Sequence, residues 1–249
     1  MRYFLEFAYR GTDFHGSQSQ PNALTVQETM ERALSTILRR EVPLTFAGRT
    51  DAGVHARMMV AHADIEGGVP ENLVLRLNSL LPESIAIRSI RPVQEDAHAR
   101  FDALARTYRY YVTTIKQPFA SQIRTRVAPG LDFEAMNDAA TMLLGRQDCA
   151  SFCRVHTDVK TTICDVKEAY WTVENETEAY FTITADRFLR NMVRAVVGTL
   201  FEVGRHKITK QQFEEIIQAQ RRTAAGHSAD AKGLFLEQIT YPETVFTHN

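Results

Sequence analysis

The sequence predicts an α+β fold made of two comparable halves. Three observations predict it. Stretches with the period of a strand alternate with stretches of helical period along all 249 residues. Hairpin-like turns join several of the strands and favour antiparallel pairing. No glycine-rich linker or low-complexity segment interrupts the chain, so the halves are expected to meet near residue 104, as 1–104 and 105–249.

The first half opens with Tyr3 to Tyr9, whose aromatic and aliphatic side chains read as a strand. Gly11-Thr12-Asp13-Phe14-His15-Gly16 breaks it as a loop. Thr25-Val26-Gln27-Glu28 has the form of a capping box. Val26, Met30, Ala33, Leu34, Ile37 and Leu38 then recur at helical spacing, and the helix ends near Arg39-Arg40. A strand over Leu44–Ala47, a polar turn over Gly48–Gly53 and a strand through Met58–Ala63 follow. Pro70 opens a helix carrying Leu73, Leu77 and Leu80, Pro82 stops it, and Ile85–Ile90 returns as a strand.

The second half resembles the first in outline. Arg106–Ile115 alternates as a strand, with Tyr108, Tyr110 and Val112 on one face and Arg109 and Tyr111 on the other. Phe133, Met136, Ala140, Leu143 and Leu144 mark a helix. Strands are expected at Ile163–Val173 and Ala179–Ala185, around the turn Glu174-Asn175-Glu176-Thr177. The longest helix is expected from about Phe188 to Val203. Thr209-Lys210-Gln211-Gln212 is a second capping box, and Leu234–Tyr241 closes the chain as a strand.

Composition excludes several classes. Hydrophobic residues make up 44% and charged residues 24%, as in ordered globular proteins and unlike disordered ones. No apolar run approaches the ~20 residues of a membrane span. The sequence opens on Met1-Arg2-Tyr3-Phe4-Leu5-Glu6-Phe7, without the apolar core of a signal peptide, and the expected location is cytoplasmic. Cys149, Cys153 and Cys164 are too few and wrongly spaced for a disulfide framework or a zinc site, and read as packing residues.

Net charge is −1, but its distribution is uneven. Arg88 to Arg126 carries 8 Lys/Arg against 3 Asp/Glu, and Asp186 to Arg222 carries 8 against 4. The stretch between, Asp132 to Glu178, carries 4 against 10. Two basic segments around an acidic one are the pattern of a basic cleft with an acidic outer surface; ordinary solvated faces are the other reading.

The most unusual segment is Ala47-Gly48-Arg49-Thr50-Asp51-Ala52-Gly53-Val54-His55-Ala56. A tight polar loop between two strands is where a rigid scaffold presents reactive groups. No Lys-Ser/Thr pair follows the second glycine, so it is not a P-loop. Taken alone, Asp51 reads as a turn or cap residue. Asp51, His55, His62 and Asp64 have the donor types of a metal site, which keeps a metal-dependent hydrolase as an alternative, although no third cluster matches them.

The ten residues from Ala47 to Ala56 resemble the signature loop of the TruA family of tRNA pseudouridine synthases. Further landmarks fall in that family's order: Phe14-His15-Gly16 with Gln18 and Gln20, Val26-Gln27-Glu28, His98-Ala99-Arg100-Phe101, and Arg106-Thr107-Tyr108-Arg109-Tyr110. Phe188-Leu189-Arg190-Asn191-Met192-Val193-Arg194 with Val197-Gly198, Gly233-Leu234-Phe235-Leu236 and Tyr241-Pro242 complete the set. The resemblance spans essentially the whole chain and is weakest around residues 116–160. Two positions depart from it: Ser17 stands where the family usually has Trp, and His227–Lys232 lacks the usual pair of prolines.

The resemblance implies the pseudouridine synthase fold, two α/β halves whose sheets join into one continuous sheet around a central basic cleft. It implies conversion of uridine to pseudouridine at positions 38, 39 and 40 of the tRNA anticodon stem-loop, by a homodimer, without cofactor or metal. Residue by residue, Asp51 matches the anionic catalyst, which either attacks C1′ or takes a proton from C2′. Arg194 is the candidate partner that keeps Asp51 ionised. Tyr108 matches the tyrosine that stacks on the target base, and Arg49 the arginine that displaces it. Leu234 forms an apolar wall, with core packing as the other reading, and His55 steadies the loop. A non-catalytic RNA-binding protein accounts for the basic segments equally well, but leaves the carboxylate between them without a purpose.

Overall fold

The computed structural model describes residues 1–154 and 160–247. In chain order the elements are β1 (Arg2–Tyr9), α1 (Val26–Leu38), β2 (Thr45–Phe46), β3 (His55–Asp64), α2 (Leu73–Leu80), β4 (Ile85–Pro92), β5 (Ala105–Thr113), β6 (Thr125–Arg126), α3 (Phe133–Ala140), β7 (Gly145–Asp148), β8 (Ile163–Val173), β9 (Glu178–Ala185), α4 (Met192–Gly204), α5 (Lys210–Gln218) and β10 (Leu234–Thr240). The class is α+β with mostly antiparallel pairing. Two compact units form, Met1–Leu104 together with the residues from Phe235 onward, and Ala105–Leu234. The closing strand, from Phe235 on, thus sits in the first unit, although the sequence groups it with the second half.

In the first unit β1 lies between β4 and β3, antiparallel to both, with Leu5 opposite Ala61 and Ile90. Leu5 and Phe7 are fully buried there. β2 pairs with β3 across Thr45 and His62, and β10 runs parallel to β3, Phe235 opposite His55. Helix α1 buries Val26, Met30, Ala33 and Leu34, the stripe that its 3.6-residue period dictates. The Thr25 side chain caps it by accepting the Glu28 N–H at 3.3 Å. Pro70 lies one turn before α2, its carbonyl accepting the Leu73 N–H at 2.9 Å, and Pro82 follows the helix end.

In the second unit the order is β7-β8-β9-β5, antiparallel throughout, with β6 parallel to β5 at the other edge. Helix α4 is buried along nearly its whole length, which explains why its sequence is apolar on almost every side. Its Phe201 packs edge-on against Tyr110, centroids 6.2 Å apart, and beside Trp171 at 5.8 Å. Thr209 and Gln212 close a full capping box on α5. Two helix ends differ from the expected ones. Helix α4 begins at Met192, not Phe188, because Asn191 turns the chain through the left-handed region at φ 66°. Helix α3 stops at Ala140 and tightens into a 3₁₀ turn over Thr141–Leu143. Strands β6 and β7, of two and four residues, are too short to show a period.

All three cysteines are buried. Among the described residues no helix is long and apolar enough to cross a membrane.

His62 on β3 carries a pH signature. Its ring is buried, Nδ1 accepts the Ala99 N–H at 3.1 Å, and the ring of His98 lies edge-on at 4.6 Å. Burial lowers its pKa to about 4, helped by His98 and Arg2 and opposed by Asp64 and Asp102. An unfolded histidine titrates near ~6.5. Between those values the unfolded chain binds the proton and the folded one does not, so stability falls as pH drops through that window. Urea titrations from pH 7.5 to 4.5 are expected to show this fall, and His62→Gln to make it shallower. An unchanged slope would assign the proton uptake elsewhere.

Candidate active site

The loop between β2 and β3 is fixed from several sides inside the first unit. Ala47, just past β2, donates its N–H to the Val60 carbonyl of β3 at 2.8 Å. Thr50 is buried and its hydroxyl lies 2.8 Å from the Tyr9 hydroxyl. Its N–H donates to Ser17 Oγ at 2.9 Å, and its carbonyl accepts the Ser17 N–H at 3.2 Å. Asp51 follows, half-buried, and its carbonyl accepts the Val54 N–H at 3.1 Å to close a turn. Gly53 takes the positive φ, 78°, that the turn demands. Arg49 is exposed.

His55 ends the loop as a fully buried imidazole. Its Nδ1 accepts the Gly11 N–H at 3.1 Å and its ring stacks on Phe235 at 4.5 Å. Arg57 covers the Phe235 ring at 5.0 Å and pairs with Glu237 at 3.2 Å. The loop is therefore anchored at both ends by packed residues, and the carboxylate lies between the anchors.

The metal alternative finds no support in this geometry. The Nδ1 atoms of His55 and His62 both accept backbone N–H groups, and Asp64 is held by Arg2 at 2.8 Å. That contact holds the Asp64 carboxyl below the usual range. Among the described residues no group of three or more His, Cys, Asp or Glu stands together in the manner of a metal site.

The other three candidates belong to the second unit. Tyr108 on β5 is half-buried and meets Phe188 edge-on, centroids 4.9 Å apart. Its neighbours are core residues. Tyr110 is fully buried and lies 2.8 Å from Thr125 Oγ1, and burial drives its phenol pKa far up. Tyr111 is buried against Tyr180 at 5.5 Å. Arg194, in the first turn of α4, is half-buried and tied twice to Ala229. Its Nε donates to the Ala229 carbonyl at 2.7 Å, and its own carbonyl accepts the Ala229 N–H at 2.9 Å. Next to that pair, Ser228 Oγ takes hydrogen bonds from Asn191 at 2.6 Å and Arg222 at 3.0 Å. Leu234 is buried at the start of β10.

Sequence reasoning overlooked the residues that hold these groups: Tyr9, Ser17, Phe188, Ser228 and Ala229. Phe188 opens the Phe188–Arg194 motif, and Ser17 is visible as one departure from the family pattern. Ser228 and Ala229 fall within the other departure, His227–Lys232, but nothing in spacing marks their ties to Asn191 and Arg194, 37 and 35 residues away.

A family model described as tRNA pseudouridine synthase matches residues 7–102 and 139–242. The chain is 52% identical over 247 residues to a protein of Bacteroides fragilis named tRNA pseudouridine synthase A, covering 98% of each. It is 55% identical over 249 residues to the protein of that name from Bacteroides thetaiotaomicron, covering 99% of this chain and 93% of the relative. The likeness extends to Acetivibrio thermocellus, at 40% over 242 residues, 95% of this chain and 98% of the relative, again under that name.

The contrast between the two tyrosines of β5 is testable. Tyr110→Leu is expected to cost about 2–4 kcal/mol of stability, through lost packing and an unpaired Thr125 hydroxyl. Tyr108→Leu is expected to cost about 1 kcal/mol or less, the scale of one aromatic contact. Chemical denaturation measures both, and equal losses would place Tyr108 in the core.

Proposed function

Because this chain belongs to the tRNA pseudouridine synthase family, we propose that it converts uridine to pseudouridine in tRNA, at positions 38, 39 and 40 of the anticodon stem-loop, with Asp51 as the nucleophile. The reaction is an isomerisation. The N1–C1′ bond breaks, the uracil turns, and C5 bonds to C1′; C5 then gives up its hydrogen and N1 gains one. No electrons are exchanged with an outside reagent, so no cofactor is called for. What the chain must supply is an ionised carboxylate beside the sugar, a platform for an extruded base, and a pocket that keeps the detached uracil in place.

Asp51 supplies the carboxylate. Two routes remain open to it, attack at C1′ or removal of the C2′ proton. Arg194 is proposed as the cation that keeps it ionised; its double tie to Ala229 leaves little freedom to the base of that guanidinium. Tyr108 offers an aromatic face, and stacking of a base on such a ring is worth roughly 1–3 kcal/mol. Arg49, exposed beside Asp51, suits displacement of the base from its stack. Leu234 is proposed as an apolar wall of the same pocket. The sheets of the two halves are proposed to join around a basic cleft, and two copies to share one tRNA in the cytoplasm. Recognition of RNA shape suits an enzyme that acts on several adjacent uridines.

The observation that carries this reading is the loop from Ala47 to Ala56, a single half-buried carboxylate on a firmly held turn within a chain of this family. It is tested by mapping pseudouridine in unmodified tRNA treated with the protein, chelator present, beside Asp51→Asn. Wild type is expected to modify the anticodon stem-loop, and Asp51→Asn to lose at least about a thousandfold in rate with tRNA affinity kept. Tight binding without product in the wild type would leave an RNA-binding protein instead.

A further inference from the structure

We propose that Ser17 and Tyr9 are positioning residues for Asp51, acting through Thr50; this rests on the reading of Asp51 as the catalytic group. Ser17 stands where the family usually has a bulky aromatic residue, and it is fully buried. A buried serine needs partners for its hydroxyl, and here the partner is the residue before Asp51. The Thr50 N–H donates to Ser17 Oγ at 2.9 Å while the Ser17 N–H donates to the Thr50 carbonyl at 3.2 Å. The Thr50 hydroxyl meets the Tyr9 hydroxyl at 2.8 Å. All three polar groups of Thr50 are thereby engaged, two by Ser17 and one by Tyr9.

The clamp is itself held. Gly16 adopts φ +100°, and a side chain there would come within 2.9 Å of the Thr50 carbonyl oxygen, so the close approach requires glycine. On the other side, the first N–H groups of α1 grip the same segment: Val26 N–H donates to the Gly16 carbonyl at 3.4 Å, and Gln27 N–H to the Ser17 carbonyl at 3.0 Å. Tyr9 is buried at the end of β1, in the sheet. Helix and sheet thus converge on the peptide that leads into Asp51. Fixing φ and ψ on one side of a reactive residue narrows where its side chain reaches, and an ångström of misplacement costs a reaction of this kind roughly a hundredfold. The Ser17 N–H alone ties the segment to the Thr50 carbonyl, so the hydroxyl adds a second tie, to the Thr50 N–H. Its added effect is to fix the orientation of the preceding peptide.

The test is a single-turnover assay on an unmodified tRNA transcript with enzyme in excess, together with the dissociation constant for the same tRNA. With enzyme in excess and saturating, the rate constant does not depend on what fraction of the protein is folded. Ser17→Ala is expected to lower it roughly 10- to 100-fold, with tRNA affinity within about twofold of wild type. Tyr9→Phe, which removes the third tie without opening the serine site, is expected to lower it by a smaller factor, and carries the test alone should Ser17→Ala not fold. Wild-type rate constants in these variants, or a loss confined to affinity, would overturn the proposal. Asp51→Asn separates the two levels of the argument. Full activity in Asp51→Asn removes the catalytic reading and the clamp's purpose with it; an inactive Asp51→Asn beside fully active clamp variants removes the clamp alone.

Discussion

The peptide that leads into Asp51 is the most firmly tied point of the candidate loop. If Asp51 is the catalytic group, as proposed, it must be both held in place and left within reach of a large substrate. Thr50 resolves the conflict. Its N–H, carbonyl and hydroxyl are each bonded to residues outside the loop, while Asp51, one residue on, stays half-buried. The sheet β4-β1-β3 contributes Tyr9 and His55, and α1 steadies the Gly16–Ser17 segment from behind.

Two histidines work in the same spirit. His55 and His62 both lie on β3, and both use Nδ1 to accept a backbone N–H from a distant stretch, Gly11 in one case and Ala99 in the other. Each imidazole must be neutral at that nitrogen to accept, which burial enforces for His62. In sequence the same residues have the types and closeness of metal ligands. What separates the two readings is direction: ring nitrogens turned toward backbone amides are not turned toward a common ion.

Much of the fold was legible in the sequence, and the exceptions have physical causes. Helices α1 and α5 were readable because one face of each is buried and the other wet, so periodicity survives, and β1 through its run of aromatic and aliphatic residues, most of them buried. The start of α4 was not, since Asn191 breaks the helix by a backbone turn that an apolar pattern does not register, and α4 is buried on nearly every side. The site divides in the same way. Asp51 stands out in the sequence through the string around it, and the structure holds it half-buried on a fixed turn. The tie between Ser17 and Thr50 spans 33 residues and exists only once β1, α1 and the loop have come together. In sequence that serine shows only as an absent tryptophan. Tyr108 and Tyr110 were indistinguishable by alternation, and it is depth in the second unit that parts them.

On the proposed role, Asp51 acts through where its carboxylate is held and not only through its charge. Asp51→Glu tests it most directly, because it keeps the charge and moves the carboxylate out by one methylene. In single turnover with saturating unmodified tRNA, a loss of roughly a hundredfold or more is expected, with tRNA affinity unchanged. A rate within a few fold of wild type would contradict it and would leave the firm hold on Thr50 without a catalytic purpose.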